Sequence, residues 1–111
     1  MTEQQASRLF ESLSSPIRLK LFLQLTTAGT KGIVAGDLAK TLDLRPNNLS
    51  FHLNSLSKAG LIFSQTEGRF IRYFANLDLM TEFIQFLTQN CCKEDKNSIP
   101  CCAFYAPKEE C

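Results

Sequence analysis

All five cysteines of this chain fall within its last 21 residues, where two adjacent pairs are separated by eight residues. Thiolates are soft ligands for metals and metalloids, and neighbouring thiols can also oxidise reversibly. In a reducing cytoplasm such a cluster is more typical of a metal or redox site than of a disulfide framework. The candidate ligands are Cys91, Cys92, Cys101 and Cys102, and Cys111 is expected to be a bystander.

A second group of chemically suggestive residues lies on a helix that is predicted to begin at Pro46 and to end just before Gly60, which suits the left-handed position past a helix end. Leu49, Leu53 and Leu56 recur at the spacing of one apolar helix stripe, while amide, hydroxyl and imidazole groups fill the other faces. Asparagine can bond bidentately to adenine, so the polar face could read a DNA major groove. A polar surface helix without DNA contact is the alternative. The candidate DNA contacts here are Asn47, Asn48, Ser50, His52, Asn54 and Lys58.

The segments before this helix predict a helix-turn-helix unit. A short helix over residues 36–42 is joined to it by only three residues, and two helices joined so tightly form that motif. Capping hydroxyls and prolines predict two earlier helices, the second of which is apolar on most sides and is expected to be the central buried helix. These earlier segments are a helix Glu3–Leu13, a helix Pro16–Ala28 and a loop over residues 30–34.

Two short runs of β-branched and aromatic residues, at 61–66 and 70–74, flank a turn that contains Gly68. This pattern predicts a β-hairpin with glycine at the special turn position. A hairpin that follows a helix-turn-helix is a wing, and its Arg69 and Arg72 can meet phosphate or a narrow minor groove. An ordinary solvated hairpin is the alternative.

The last helix is predicted over residues 77–90, and it carries more apolar side chains than one buried stripe needs. Some of this surface is expected to contact a second subunit, and burial within the monomer is the alternative. Beyond residue 90 the helical periodicity stops. We therefore divide the chain into a DNA-binding and dimerisation domain, residues 1–90, and a cysteine-rich tail, residues 91–111, that a ligand could order.

The charge distribution is uneven, although the net charge is only +1. Residues 1–75 carry nine Lys/Arg against five Asp/Glu, and residues 76–111 carry three against six. A mildly basic front part is compatible with phosphate contact. No apolar run approaches the ~20 residues of a membrane span, and no signal-peptide pattern is present, so we expect a cytoplasmic protein without a membrane partner. No paired nucleophile and base, phosphate loop or carboxylate pair predicts an enzyme or an organic cofactor.

The runs SLSSPIRLKLFLQL, GDLAKTLDL, NNLSFHLNSLSKAGLI and EGRFIRYFA together resemble the ArsR family of winged-helix metalloregulatory repressors, over about residues 9–87. The resemblance implies an α+β, mostly α, winged helix-turn-helix fold with about five helices and one β-hairpin. It implies a homodimer through the first and last helices, which binds operator DNA and is released by a metal ion or metalloid. It carries base or backbone contact onto Asn47, Asn48, Ser50 and His52, and wing contact onto Arg69 and Arg72.

The expected inducer site departs from the best-described patterns of that family. Arsenic repressors of the first-described type carry Cys-Val-Cys-Asp-Leu before the recognition helix, where this chain has VAGDL at residues 34–38. The zinc and nickel sensors use histidines and carboxylates on the last helix, whereas the single histidine here is His52. The chain around Cys91 and Cys92 instead resembles arsenic-responsive members whose thiolates lie at the end of the last helix and in the tail.

The chemistry of the tail points the same way. Trivalent arsenic is thiophilic and binds three thiolates in a pyramid, or two when it carries a methyl group. Two vicinal cysteine pairs could supply two or three sulfurs, whereas zinc usually takes four at wider spacing. We therefore expect a repressor whose inducer is arsenite or methylarsenite. Zinc or cadmium sensing, thiol/disulfide redox sensing and a DNA-independent adaptor role are the alternatives.

Overall fold

A computed structural model describes residues 1–94 of the chain. They form five α-helices and a three-stranded antiparallel sheet with the strand order β1-β3-β2. The predicted α+β, mostly helical, winged helix-turn-helix fold is confirmed. Among these residues, none of the helices combines the length and apolarity that a membrane span requires. The helices are α1 (Glu3–Leu13), α2 (Pro16–Ala28), α3 (Ala35–Leu42), α4 (Pro46–Lys58) and α5 (Leu77–Thr88), and the strands are β1 (Ile33–Val34), β2 (Ile62–Glu67) and β3 (Phe70–Ala75).

The helix boundaries follow from local capping groups. Thr2 forms a capping box at the start of α1, because its hydroxyl accepts from the Gln5 N–H at 3.1 Å and its own N–H donates to the Gln5 side chain at 2.8 Å. Ser15 caps α2, with Pro16 at the first helical position. The predicted bounds of α1 and α2 are confirmed. Helix α5 ends at Thr88, two residues before its predicted end.

The core lies where all five helices meet strands β2 and β3. The leucine stripe predicted for α4, Leu49, Leu53 and Leu56, is buried there. Burial of a leucine side chain contributes roughly 1.5–3 kcal/mol, so this stripe holds α4 firmly against the rest of the domain. The largest fully buried side chains are Leu21, Leu25, Leu38, Leu56 and Leu61.

The prediction that α2 is the central buried helix is confirmed for one side of the helix and wrong for the other. Leu21, Phe22 and Leu25 are buried, but Leu23 is 53% exposed and two further apolar side chains of α2 are also exposed. The reason is that α1, α4 and β3 pack against α2 from one side only. The other side of α2 has no covering element within the described part of a single chain. Its exposed apolar residues are Ile17, Leu19 and Leu23.

The prediction of a plain loop over residues 30–34 is also wrong. Residues Gly29–Lys31 form a 3-10 turn, and Ile33–Val34 form strand β1, which pairs with β3 through Ile33 opposite Tyr73 and Val34 opposite Arg72. A two-residue strand has no periodicity of its own. It exists because a strand about forty residues further along the chain supplies its hydrogen-bond partners, so local sequence could not indicate it.

The predicted hairpin is confirmed. Strands β2 and β3 pair from Ile62 opposite Ala75 to Glu67 opposite Phe70. The turn consists of two residues, and its first is Gly68 with a φ of 61°. Two-residue hairpin turns need positive φ at a central residue because their backbone twist must match that of the strands. Gly68 adopts that angle without a steric penalty.

Gly32 generates a test of this packing. It has a φ of 64°, and a Cβ there would lie 2.6 Å from the Phe74 ring and 2.7 Å from the Tyr73 carbonyl oxygen. We expect Gly32→Ala to lower the free energy of unfolding in urea by about 1–3 kcal/mol or more. Gly36→Ala is the matched control, because a Cβ there meets nothing within 4 Å and alanine favours a helix. Equal stability of the two variants would contradict the packing of β1 against β3.

Candidate nucleic-acid interface

The turn between α3 and α4 is built by a residue in the left-handed conformation. Asp43 ends α3 with φ 53° and ψ 50°. The Leu44 N–H donates to the Ala39 carbonyl at 3.0 Å and the Asp43 N–H donates to the Lys40 carbonyl at 3.3 Å, which is the Schellman pattern. Aspartate tolerates this conformation better than most residues. The predicted tight helix-turn-helix therefore has a specific backbone cause.

Helix α4 presents one polar surface opposite its leucine stripe. At about 100° per residue, Asn47, Phe51, Asn54 and Lys58 lie on the side of the helix opposite the middle of the leucine stripe. Asn48 and Ser50, which are also exposed, lie at the two edges of this surface. We call this surface the outer face of α4, and it comprises Asn47, Asn48, Ser50, Phe51, Asn54 and Lys58, all of them exposed.

The outer face brings together five of the predicted DNA contacts, and it adds one residue that sequence reasoning missed. Phe51 is 66% exposed. Its apolar character suggested nothing about the polar face, although its position two residues from both Leu49 and Leu53 is a signal that could have placed it there. The face therefore offers hydrogen-bonding groups around one aromatic ring.

The N-terminus of α4 is open for an anion. Arg45 precedes it and makes no side-chain capping bond, and Pro46 occupies the first helical position. The Arg45 carbonyl accepts from the Leu49 N–H at 2.9 Å, which begins the intrahelical ladder. Uncapped N–H groups at a helix start, with the positive end of the helix dipole, suit a phosphate oxygen. Exposed Arg45 adds a positive charge at the same end.

His52 lies at the edge of the outer face rather than on it. Its ring is half-buried, and its Nδ1 is a buried atom without a hydrogen-bond partner within residues 1–94. Burial lowers the pKa of His52 below its usual 6.5, and the positive charge of Arg18 lowers that pKa further. A neutral imidazole packed beside the leucine stripe follows from this environment. DNA contact by His52 stays a prediction.

The two arginines of the wing have different surroundings. The Arg72 guanidinium forms an ion pair with Glu67, Nε to Oε2 at 3.0 Å, and its Nη1 donates to the Lys31 carbonyl at 3.1 Å. Arg69 is exposed at the turn itself. Arg72 therefore holds the wing to the segment before β1, whereas Arg69 is placed to meet a phosphate. Contact of either residue with DNA stays a prediction.

Asn76 connects the end of α4 to the start of α5. Its Nδ2 donates to the Gly60 carbonyl at 2.9 Å, its backbone N–H donates to the Leu61 carbonyl at 2.8 Å, and its Oδ1 accepts from the Leu79 N–H at 3.2 Å. Gly60 itself has the left-handed φ, 83°, that its position beyond the end of the helix predicts. The bond to Gly60 joins residues that are 16 positions apart in the chain, so no local pattern indicated it.

The candidate thiol site begins directly after α5. Cys91 and Cys92 are exposed, their Sγ atoms lie 3.3 Å apart, and Cys92 has a left-handed φ of 62°. Among residues 1–94, no cluster of three or more His, Cys, Asp or Glu side chains could hold a metal ion. Cys101, Cys102 and Cys111 lie outside the described residues. The assignment of ligands and the boundary at residue 90 stay predictions.

Comparisons with known proteins agree with this geometry. Residues 13–63 match a family model described as a helix-turn-helix domain. The transcriptional repressor SdpR of Bacillus subtilis (strain 168) is 31% identical over 81 residues, which cover 73% of this chain and 87% of that protein. An ArsR-like transcriptional regulator from Rhodococcus sp. RHA1 has a similar structure, with a TM-score of 0.71 and 27% identity over 83% of this chain and 84% of that one.

A further similar structure supports the fold. It is the homodimeric winged helix-turn-helix DNA-binding domain Mb0332 from Mycobacterium bovis, a possible ArsR-family transcriptional regulator. Its TM-score is 0.64, with 18% identity over 86% of this chain and 89% of that one.

His52 generates a prediction about pH. Its pKa is lower in the folded chain than in the unfolded chain, so acidification through about pH 6.5 protonates the unfolded state first. We therefore expect the free energy of unfolding of the reduced protein to fall as the pH drops below about 6.5. His52→Gln should remove that slope, because the chain contains no other histidine. Urea unfolding of both proteins between about pH 7.5 and pH 5.5 measures it, and equal slopes would contradict the assignment.

Asn76 generates a prediction about the attachment of α4. Asn76→Ala removes a helix cap and the side-chain bond to Gly60, so we expect a loss of about 1–3 kcal/mol in the free energy of unfolding. Asn76→Asp keeps the cap acceptor but loses the donor, and its loss should be smaller. Asn54→Ala, on the exposed outer face, is the control and should change stability by no more than about 0.5 kcal/mol. If Asn76→Ala left the free energy of unfolding unchanged, the cap and the bond to Gly60 would contribute nothing to stability.

Proposed function

Because this chain belongs to the ArsR family of winged helix-turn-helix transcriptional regulators, we propose that it is a homodimeric repressor whose operator DNA is released by trivalent arsenicals. Its activity is DNA binding rather than catalysis. The outer face of α4, exposed beside an open helix N-terminus and a wing with Arg69 at its tip, is the observation that carries the repressor function. The vicinal thiols after α5 support the choice of inducer.

An apolar surface shared by α1 and α5 supports the homodimer. The exposed ring of Phe10 on α1 packs edge-on against Phe83 on α5, with the ring centroids 4.9 Å apart. Ile84 and Leu87, one and four residues further along α5, are also exposed. A second copy of this chain would cover the surface with an identical one, as two-fold symmetry requires. Such a dimer places two α4 helices in major grooves ~34–36 Å apart.

The adjacency of the two thiols supports a soft ligand that needs few donors. The Sγ atoms of Cys91 and Cys92 are exposed and lie 3.3 Å apart, so both can reach one thiophilic atom. Structural zinc usually takes four ligands at wider spacing, whereas trivalent arsenic takes two or three thiolates. This pair suffices for methylarsenite. Arsenite requires a third sulfur, which we assign to Cys101 or Cys102. The proposed compartment is the cytoplasm, where thiols stay reduced.

Helix α5 offers a mechanical route from the thiols to the DNA-binding surface. Its N-cap, Asn76, is bonded to Gly60 just beyond the end of α4, and Cys91 follows three residues after its last residue, Thr88. Because α5 also carries the proposed dimer surface, a ligand that ties the tail to its end would change the relation between the subunits. If the ligand binds the DNA-incompetent dimer ~100-fold better, the coupling is about 2.7 kcal/mol, within the usual allosteric range.

Redox sensing is the second candidate, and the contact between the two thiol sulfurs favours it. Peroxide can oxidise one thiolate to a sulfenic acid, which a neighbouring thiol condenses to a disulfide with loss of water. The same cysteines would then release DNA without any metalloid. The two candidates differ in which reagent acts on the reduced protein.

The test is fluorescence anisotropy of a duplex selected by the protein from a random-sequence library. Binding should weaken as salt rises, because phosphate contacts release counterions. Arsenite should raise the apparent Kd about 100-fold for the wild type and for the control Cys111→Ser, but not for Cys91→Ser/Cys92→Ser. Cys101→Ser/Cys102→Ser should keep its response to methylarsenite and lose most of its response to arsenite.

The contrary outcomes separate the alternatives. Release by peroxide alone would select the redox sensor, and release by zinc or cadmium alone would select a soft-metal sensor. A dimer that keeps its DNA affinity when loaded with arsenite would refute the switch. Absence of salt-dependent duplex binding by the reduced protein would refute the repressor and leave the adaptor role.

A further inference from the structure

Phe51 is the most exposed large apolar side chain among the described residues, at 66%. It lies near the middle of α4 and about 160° around the helix from both Leu49 and Leu53. The ring therefore contributes nothing to the core that holds α4 in place. A single exposed apolar residue is ordinary by itself. The residues around Phe51, however, point to a role for its ring in binding.

Asparagines surround Phe51 on the outer face of α4. Asn47, Asn48 and Asn54 lie four residues before, three before and three after it, which are the spacings of side chains in contact on a helix surface. Asparagine bonds bidentately to N6 and N7 of adenine. In the major groove, the adenine edge of an A·T pair lies beside the O4 atom and the C5-methyl group of thymine. This methyl group is the apolar feature of the pair in that groove.

The Phe51 ring is also braced. It packs edge-on against the His52 ring, with centroids 5.4 Å apart and planes at 70°. His52 is half-buried, so the contact holds one edge of the Phe51 ring against the body of the domain. An aromatic side chain has only two rotatable bonds and loses little conformational freedom on contact. The Phe51 ring is therefore suited to a defined apolar partner.

We propose that Phe51 reads the C5-methyl group of thymine, and that the outer face of α4 thereby selects A·T pairs within each half-site. The asparagines recognise adenine, and the phenylalanine recognises the methyl group of the same or the adjacent pair. This inference rests on the proposed DNA-binding function and adds its base specificity. It also explains why a phenylalanine stands among polar residues on a surface that gains no stability from it.

The test removes single methyl groups from the DNA. Each thymine of the duplex selected by the wild type is replaced by deoxyuridine, which differs only in that methyl group. Burying a methyl-sized group is worth about fourfold in affinity, so we expect a loss of about fourfold for one half-site and about fifteenfold for both. Phe51→Ala should bind thymine and deoxyuridine duplexes equally, which completes a double-mutant cycle. Phe51→Leu, which keeps an apolar contact, should retain part of the preference.

Phe63→Ala is the protein control, because Phe63 is a 52% exposed phenylalanine that stacks on Phe74 in the sheet and does not lie on α4. The Phe63→Ala variant should lose as much affinity as the wild type when thymine is replaced by deoxyuridine. Far-UV circular dichroism checks the fold of each variant. If duplex binding depended on salt but no thymine methyl group changed the affinity, this inference would be overturned and the proposed repressor function would remain. The inference would also be overturned if Phe51→Ala lost as much affinity as the wild type when thymine is replaced by deoxyuridine. Absence of duplex binding by the wild type would overturn the proposed function itself.

Discussion

The burial of one leucine stripe constrains everything that α4 can do. Leu49, Leu53 and Leu56 fix the rotation of the helix about its own axis, so the residues opposite them must face outward. A helix rotated by one residue would expose leucine and bury asparagine without a partner, at a cost of several kcal/mol. The hydrogen bonds of Asn76 to Gly60 and Leu79 then fix where the helix ends relative to α5. Together these interactions define the surface that is available to DNA.

The charge of the chain indicates how affinity and specificity are divided. A net charge of +1 provides little general attraction for DNA, and Arg72, one of the two wing arginines, is paired with Glu67. In the proposed DNA complex, phosphate contact falls on exposed cations such as Arg69 and Arg45 and on the N-terminus of α4, which orient the domain without reading sequence. In that complex, specificity comes mainly from the neutral groups of the outer face. That assignment agrees with a surface of amides around one aromatic ring.

The apolar residues left exposed on α1, α2 and α5 have a shared explanation. A chain of this length buries a modest core, and association with a second copy adds apolar burial that the monomer lacks. Because α5 contributes Phe83 to the core, exposes Ile84 and Leu87, and ends beside the thiols, one helix takes part in folding, proposed dimerisation and proposed ligand response. In the proposed mechanism, a change at the end of α5 alters the dimer while Phe83 keeps the helix attached to the core.

The sequence by itself determined the features that depend on neighbours within a helical turn. Capping groups predicted the bounds of α1 and α2, and leucine spacing predicted the buried side of α4. Gly60 and Gly68 marked positions that need positive φ. These signals are readable because a helix or a tight turn bonds residues that lie within about five positions of each other.

Only the tertiary structure decided the features that depend on distant residues. Strand β1 exists because β3 pairs with it, and the exposed side of α2 results from packing elements that cover only its other side. Arg72 is held by the carbonyl of Lys31, 41 residues away in the chain, which no local pattern could indicate. The leucine spacing puts Phe51 on the side of α4 opposite the stripe, but only the packing of the domain leaves its ring 66% exposed. The physical reason is the same in each case, because long-range contacts are chosen by the packing of the whole domain and leave no periodic trace in the sequence.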